Sequence, residues 1–176
     1  MSDTPSDTPI HDSFYFSCDE GVVPILTEDE IKRICDYVLR DQGVTRACTL
    51  SISHVQNDTM QELNTKYRDT PRPTDVISLE CERPSDPDLA DGEVCELGDI
   101  ILAPAYIKDQ ADRFNMAHED ECRLLLIHAV LHLLGYDHLV EEEAQEMEAL
   151  EDRLLIEVGT TKHVGHVEIT RHRCGE

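Results

Sequence analysis

The chain has 176 residues, a length that suits one domain with a sizeable core. Acidic residues number 38 and basic ones 15, so the formal charge is −23 at neutral pH. That balance excludes a nucleic-acid binder working through a broad basic face, and a cationic membrane-surface protein.

Residues 1–12 are polar and rich in Pro, Ser, Thr and Asp, which predicts a disordered tail. They have neither the basic start nor the apolar stretch of a signal peptide. A first strand is expected over Ser13–Ser17. Thr27-Glu28-Asp29-Glu30 has the spacing of a capping box. Ile31, Ile34, Cys35 and Val38 then mark one face of a helix over 28–41, which Gly43 ends. Leu50 and Ile52 alternate with Ser51 and Ser53 in a half-buried strand over Thr49–Val55. Asn57-Asp58 offers an N-cap for a short helix over 59–67, with Met60, Leu63 and Tyr67 on one face. Two prolines make 69–74 a loop, and Val76–Leu79 reads as a strand. Residues 80–96 carry seven acids against Arg83 alone, which predicts a solvated loop. A strand over Leu97–Ala103 contains Gly98, the mark of a bulge or a close backbone approach. Pro104 suits the first turn of a helix to about Asn115. An apolar helix is expected over 119–134, and a last one over 141–157. In that last helix Ala144, Met147, Leu150 and Leu154 face inward, and the acids read as its wet side. The fold class expected is α+β: a small mixed four-stranded sheet with helices packed on it, in one domain over 13–158, followed by a tail over 159–176. Seven cysteines without a close pair read as reduced thiols, and no stretch is apolar enough to span a membrane.

The chemistry concentrates in His128-Ala-Val-Leu-His132-Leu-Leu-Gly135-Tyr136-Asp137-His138. Histidines four apart on a helix share one face, so two imidazoles can converge on one ion. Gly135 lets the chain leave the helix, and the next turn can bring His138 round as a third nitrogen ligand. Three neutral imidazoles with a fourth position open are the pattern of a catalytic zinc. Apolar flanks strengthen this, because buried histidines without a partner are costly. The spacing matches the zinc-protease helix H-E-x-x-H-x-x-G-x-x-H, but Ala129 stands where those proteases need a glutamate to move a proton. Arg68 lies in a basic spot with Lys66 and Arg72 and suits a phosphate, although spacing alone favours an ordinary surface ion pair. Asp137 fits either a hydrogen bond to a ligand histidine or a turn. Cys122 reads as packing, and His54 and His118 as structural.

These motifs carry a resemblance to the YbeY family, the metal-dependent endoribonucleases of bacterial ribosomal RNA maturation. The histidine block is very close to that family's signature. Leu63-Asn64, Tyr67-Arg68, Pro73-Thr74-Asp75-Val76-Ile77-Ser78, Leu97-Gly98-Asp99-Ile100, Met147 and Glu151 match in the right order. The resemblance spans roughly 20–158. Ala129 replaces the usual Gly, Leu79 the usual Phe, and the acidic loop looks long. The resemblance implies one zinc on His128, His132 and His138, and a catalytic Arg68. It implies a cytoplasmic endoribonuclease acting on single-stranded RNA. Its substrate would be above all the 3′ end of small-subunit ribosomal RNA, with a part in ribosome quality control. Ribosomal proteins or assembly factors are possible partners; membrane and DNA are not expected.

A polyanionic substrate conflicts with a charge of −23, least so at high salt. Two local basic spots offer a way out. One is Lys66, Arg68 and Arg72. The other is Lys162, Arg171 and Arg173 with His163, His166 and His172, although a disordered end with incidental histidines is the favoured reading of that stretch. Two other functions fit the motifs: a metal hydrolase of another class, such as a peptidase, and a ribosome-associated factor with a structural zinc.

Overall fold

A computed structural model describes residues 10–137 and 139–159. Alternating burial in the strands and 3.6-residue periodicity in the helices build nine elements. In chain order they are β1 (Ser13–Cys18), α1 (Glu28–Asp41), β2 (Cys48–His54), α2 (Asn57–Arg68), β3 (Val76–Glu80), β4 (Cys95–Leu102), α3 (Pro104–Arg113), α4 (His118–Leu133) and α5 (Glu141–Val158). The four strands form one sheet in the order β1-β2-β4-β3. β1 runs parallel to β2 and β2 to β4, while β3 is an antiparallel edge. The α+β class and the mixed four-stranded sheet therefore hold.

Strand alternation gives the sheet two apolar faces. Leu50, Ile52, Val76, Leu97, Ile100 and Leu102 join α1, α4 and α5 in the main core. Ile77, Ile101, Val55 and Ala103 meet Met60 of α2 in a smaller cluster. Helix α4 is the centre of the molecule. Twelve of its 16 residues are buried, so it is covered all round rather than along one stripe. Cys122 packs in this core, as expected.

Gly98 does both things its position suggested. The β2–β4 register slips there, with Thr49 opposite Glu96 and Leu50 opposite Gly98, which is a β-bulge. Its backbone also sits at φ +144° directly under the Leu79 carbonyl.

Three local expectations need correction. The N-cap of α2 is Gln56, not Asn57-Asp58, and it makes no side-chain cap bond. Asp19, in the loop after β1, caps the helix from outside by accepting the Gln56 amide (3.1 Å) and the Thr59 hydroxyl (3.0 Å). At α1 only half of the capping box forms. The Thr27 hydroxyl accepts the Glu30 amide (3.2 Å), but the Glu30 carboxylate is gripped by Arg33 (2.7 Å) and Arg123 (3.2 Å). The third concerns α5, whose Glu151 is buried rather than on the wet side. Of the N-terminal tail, residues 1–9 lie outside the described residues. Asp12 accepts from the Cys48 amide (2.8 Å) and Arg40 (3.2 Å).

His54 ends β2 only 3% exposed, and its Nε2 finds no partner among the described residues. Burial pushes it below the ordinary histidine value of 6.5. The folded state thus binds this proton less readily than the unfolded one. The stability that neutral His54 gives is complete above about pH 6.5 and is lost as pH falls towards the folded value. Thermal unfolding from pH 7.5 to 5.5 should therefore fall more steeply for the wild type than for His54→Gln. Equal slopes would remove His54 from the acid response.

Candidate functional site

His128 and His132 stand one turn apart on α4, with ring centroids 4.3 Å apart and planes at 84°. Each Nδ1 faces an acceptor: Glu151 Oε1 at 2.7 Å for His128, and the Tyr136 carbonyl at 3.0 Å for His132. A carbonyl or an ionised carboxylate only accepts, so each Nδ1 carries the proton of its neutral ring. Both Nε2 atoms then face the same point in space, 2.9 Å from one another. Two lone pairs at that separation repel unless something between or beside them accepts both. A divalent transition-metal ion is such an acceptor, and imidazole is a normal ligand for it. Burial keeps His128 neutral: desolvation pushes it down to about 4, with Asp75 opposing and Arg68 reinforcing. The donor set thus fits a metal ion.

Local structure explains the turn that holds the second ring. The Gly135 amide bonds the His132 carbonyl (2.9 Å) and the Tyr136 amide bonds the Leu131 carbonyl (3.0 Å). This is the reciprocal pattern of a Schellman C-cap, with Gly135 at φ +104°. The motif turns the Tyr136 carbonyl back on His132. The Tyr136 hydroxyl in turn donates to Gln42 Oε1 (2.5 Å) at the end of α1, tying this turn to the rest of the core.

Arg68 is the last residue of α2. Its Nη2 reaches the Val76 carbonyl (3.4 Å), and its Nη1 is buried with no hydrogen-bond partner among the described residues. Asn64 braces the following loop by donating to the Arg72 carbonyl (2.8 Å). Asp75 then sits fully buried, accepting from the Val76 amide (2.7 Å) and Gln110 (2.9 Å). Arg68, at the end of α2, and Asp75, just before β3, both act on His128 through their charges.

Of the residues singled out from the sequence, His128 and His132 face one another, and Arg68 lies near enough for its charge to act on His128. His138 and the basic residues of the C-terminal tail lie outside the described residues. Asp137 accepts the Leu139 amide (3.2 Å), a turn contact. Sequence reasoning missed the parts of Glu151 and Asp75. Glu151 was visible as an acid inside the apolar stripe of α5, between Met147 and Leu154. Nothing in the sequence marked Asp75 as buried.

Fold and site together define a small α+β domain with a histidine pair on its central helix, His128 buried and neutral, and Arg68 near enough for its charge to act on His128. The family described as Endoribonuclease YbeY matches residues 19–159, and the chain belongs to that family. A protein named Endoribonuclease YbeY from Nocardia farcinica is 41% identical over 133 residues, which are 74% of this chain and 72% of that protein. Those of the same name from Saccharopolyspora erythraea and Legionella pneumophila are each 38% identical. The first match covers 77% of this chain and 75% of the relative, and the second 76% and 82%. In fold, the chain is similar to a Thermotoga maritima protein solved in solution. Its TM-score is 0.54 at 22% identity, covering 82% of this chain and 88% of that one.

Proposed function

We propose that the chain is a zinc-dependent, single-strand-specific endoribonuclease. It would act in maturing the 3′ end of small-subunit ribosomal RNA and in ribosome quality control, in the cytoplasm. Ribosomal proteins or assembly factors are its candidate partners. No described helix is long and apolar enough to cross a membrane. Family membership supports the endoribonuclease reading. The observation that carries the metal reading is the pair of Nε2 atoms turned towards each other at 2.9 Å, each ring tied at Nδ1.

His128, His132 and His138 would hold one zinc in a zincin-like set. When bound, zinc supplies a Lewis acid for a water molecule or a phosphoryl oxygen. Arg68 binds the phosphate: its Nη1 has no hydrogen-bond partner among the described residues, and its planar fork suits two phosphate oxygens. Glu151 holds His128 in the tautomer that presents Nε2. Ala129 can move no proton, which disfavours a peptidase.

The test pairs metal analysis with cleavage. Purified protein should carry about one zinc per chain by X-ray fluorescence. It should cut single-stranded RNA and leave casein intact, and it should lose RNA cleavage on chelation. Casein hydrolysis without RNA cleavage would make it a peptidase. If His132→Ala unfolds the protein, the zinc is structural.

Removing the carboxylate behind His128 leaves its Nδ1–H buried without an acceptor. Glu151→Ala should therefore lower zinc affinity by about 10–100-fold, with Glu151→Gln intermediate. Competition with a chromogenic chelator reads this directly. Unchanged affinity in both variants would show that Glu151 does not tune the site.

A further inference from the structure

A cavity of about 580 Å³ opens beside α2 on the sheet face away from the histidine pair. Register builds its floor as one row across all four strands. Tyr15 pairs with Ser51, Ser51 with Asp99, and Asp99 with Leu79. Tyr67 of α2, the residue before Arg68, forms part of the wall. The two tyrosines are 64% and 46% exposed, so neither is consumed by the core. Strands disfavour aspartate, yet Asp99 sits mid-strand with no hydrogen-bond or ion-pair partner among the described residues. The Lys66 ammonium lies 5.1 Å from the Tyr67 ring centroid and brings positive charge to the rim.

This arrangement sorts the parts of a nucleotide. The Asp99 carboxylate repels a phosphodiester but accepts N–H groups, so the floor takes a base edge while the backbone follows Lys66 and Arg68. Tyrosine rings offer stacking surfaces to any base. Guanine alone presents two adjacent donors, N1–H and N2–H, to a single carboxylate. Cytosine and adenine each place a ring acceptor beside the amino group. Uracil flanks its one N–H with two carbonyls. We propose that this cavity is a nucleobase subsite for the RNA strand, selective for guanine, with Asp99 reading the base and Tyr15 and Tyr67 stacking it. The inference rests on the endoribonuclease reading for its biological ligand, but its chemistry can be tested without cleavage.

The probes are guanosine and uridine, which carry no phosphate, titrated into the full chain by calorimetry and saturation-transfer NMR. Wild type should prefer guanosine by about tenfold or more. Asp99→Asn should erase that preference with an unchanged melting temperature, and Tyr67→Ala should weaken both nucleosides. On single-stranded oligonucleotides, wild-type cuts should cluster at a fixed offset from guanine and Asp99→Asn cuts should scatter. Equal guanosine affinity in wild type and Asp99→Asn overturns the proposal. So does an Asp99→Asn variant that keeps the guanosine preference and cut positions but loses affinity for hexa-arginine, which would make the groove a docking surface for a basic protein. An Asp99-dependent guanosine preference in a protein that cuts no RNA upholds the subsite and sinks the endoribonuclease reading. RNA cleavage with no guanosine preference does the reverse.

Discussion

Arg68→Ala should lower single-turnover cleavage of single-stranded RNA by about 10²–10³-fold, the usual loss when one positioned donor to a developing oxyanion is removed. Zinc content and fold should survive. The side chain's hydrogen bond within the protein is a long one, 3.4 Å to the Val76 carbonyl, worth less than about 1 kcal/mol. Its Nη1 has no partner to leave stranded among the described residues. Arg68→Lys should recover only part of the rate, because an ammonium is a point charge and cannot grip two phosphate oxygens with a planar fork. Equal rates for wild type and Arg68→Ala would leave the arginine as a structural tie between α2 and β3.

The charge of the chain bears on the same experiment. At −23 the protein repels RNA at long range, so binding must come from contacts inside a Debye length. Arg68 at the end of α2 and Lys66 beside Tyr67 are placed to do this. Salt screens both the repulsion and these contacts.

Local patterns carried most of the fold. The α1 boundaries follow from Thr27, the apolar face and Gly43, because every one of these signals acts within a few residues. The histidine pair was legible for the same reason: spacing of four on a helix fixes a shared face. What could not be read is what depends on distant chain. β4 inserts between β2 and β3, although β3 precedes it in sequence. Asp19 caps a helix that begins 38 residues later, so the Asn57-Asp58 signal lost to a tertiary contact. Glu151 meets His128 from 23 residues away: its place in the apolar stripe of α5 marks an inward acid, but which group it meets depends on how α5 packs on α4. The pair of lone pairs is thus a local feature, while the partners that fix its tautomers are tertiary.

Gly98→Ala should destabilise the protein more than any surface change. A Cβ there would lie 2.1 Å from the Leu79 carbonyl oxygen and 3.1 Å from Leu133 Cδ2. The first contact is with backbone, so no rotamer change relieves it; β3 must move off β4. At φ +144° any side chain is strained as well. Strain of about 1–3 kcal/mol and overpacking of about 1–3 kcal/mol add to several kcal/mol, a large part of a domain's total stability. For a domain of this size that corresponds to a melting temperature lower by roughly 10 °C. The damage should reach the site, because β3 follows directly on Asp75 and carries the Val76 carbonyl that Arg68 reaches at 3.4 Å, and Leu133 follows His132 on α4. Gly92→Ala is the comparison. Its φ is +80° but a Cβ there meets nothing within 4 Å, so it should cost only the backbone strain, about 1 kcal/mol. Calorimetry on the two variants separates steric collision from glycine conformation. If Gly98→Ala melts within about 2 °C of Gly92→Ala, the bulge yields easily and Gly98 does not hold β3, Arg68 and the histidine helix in register.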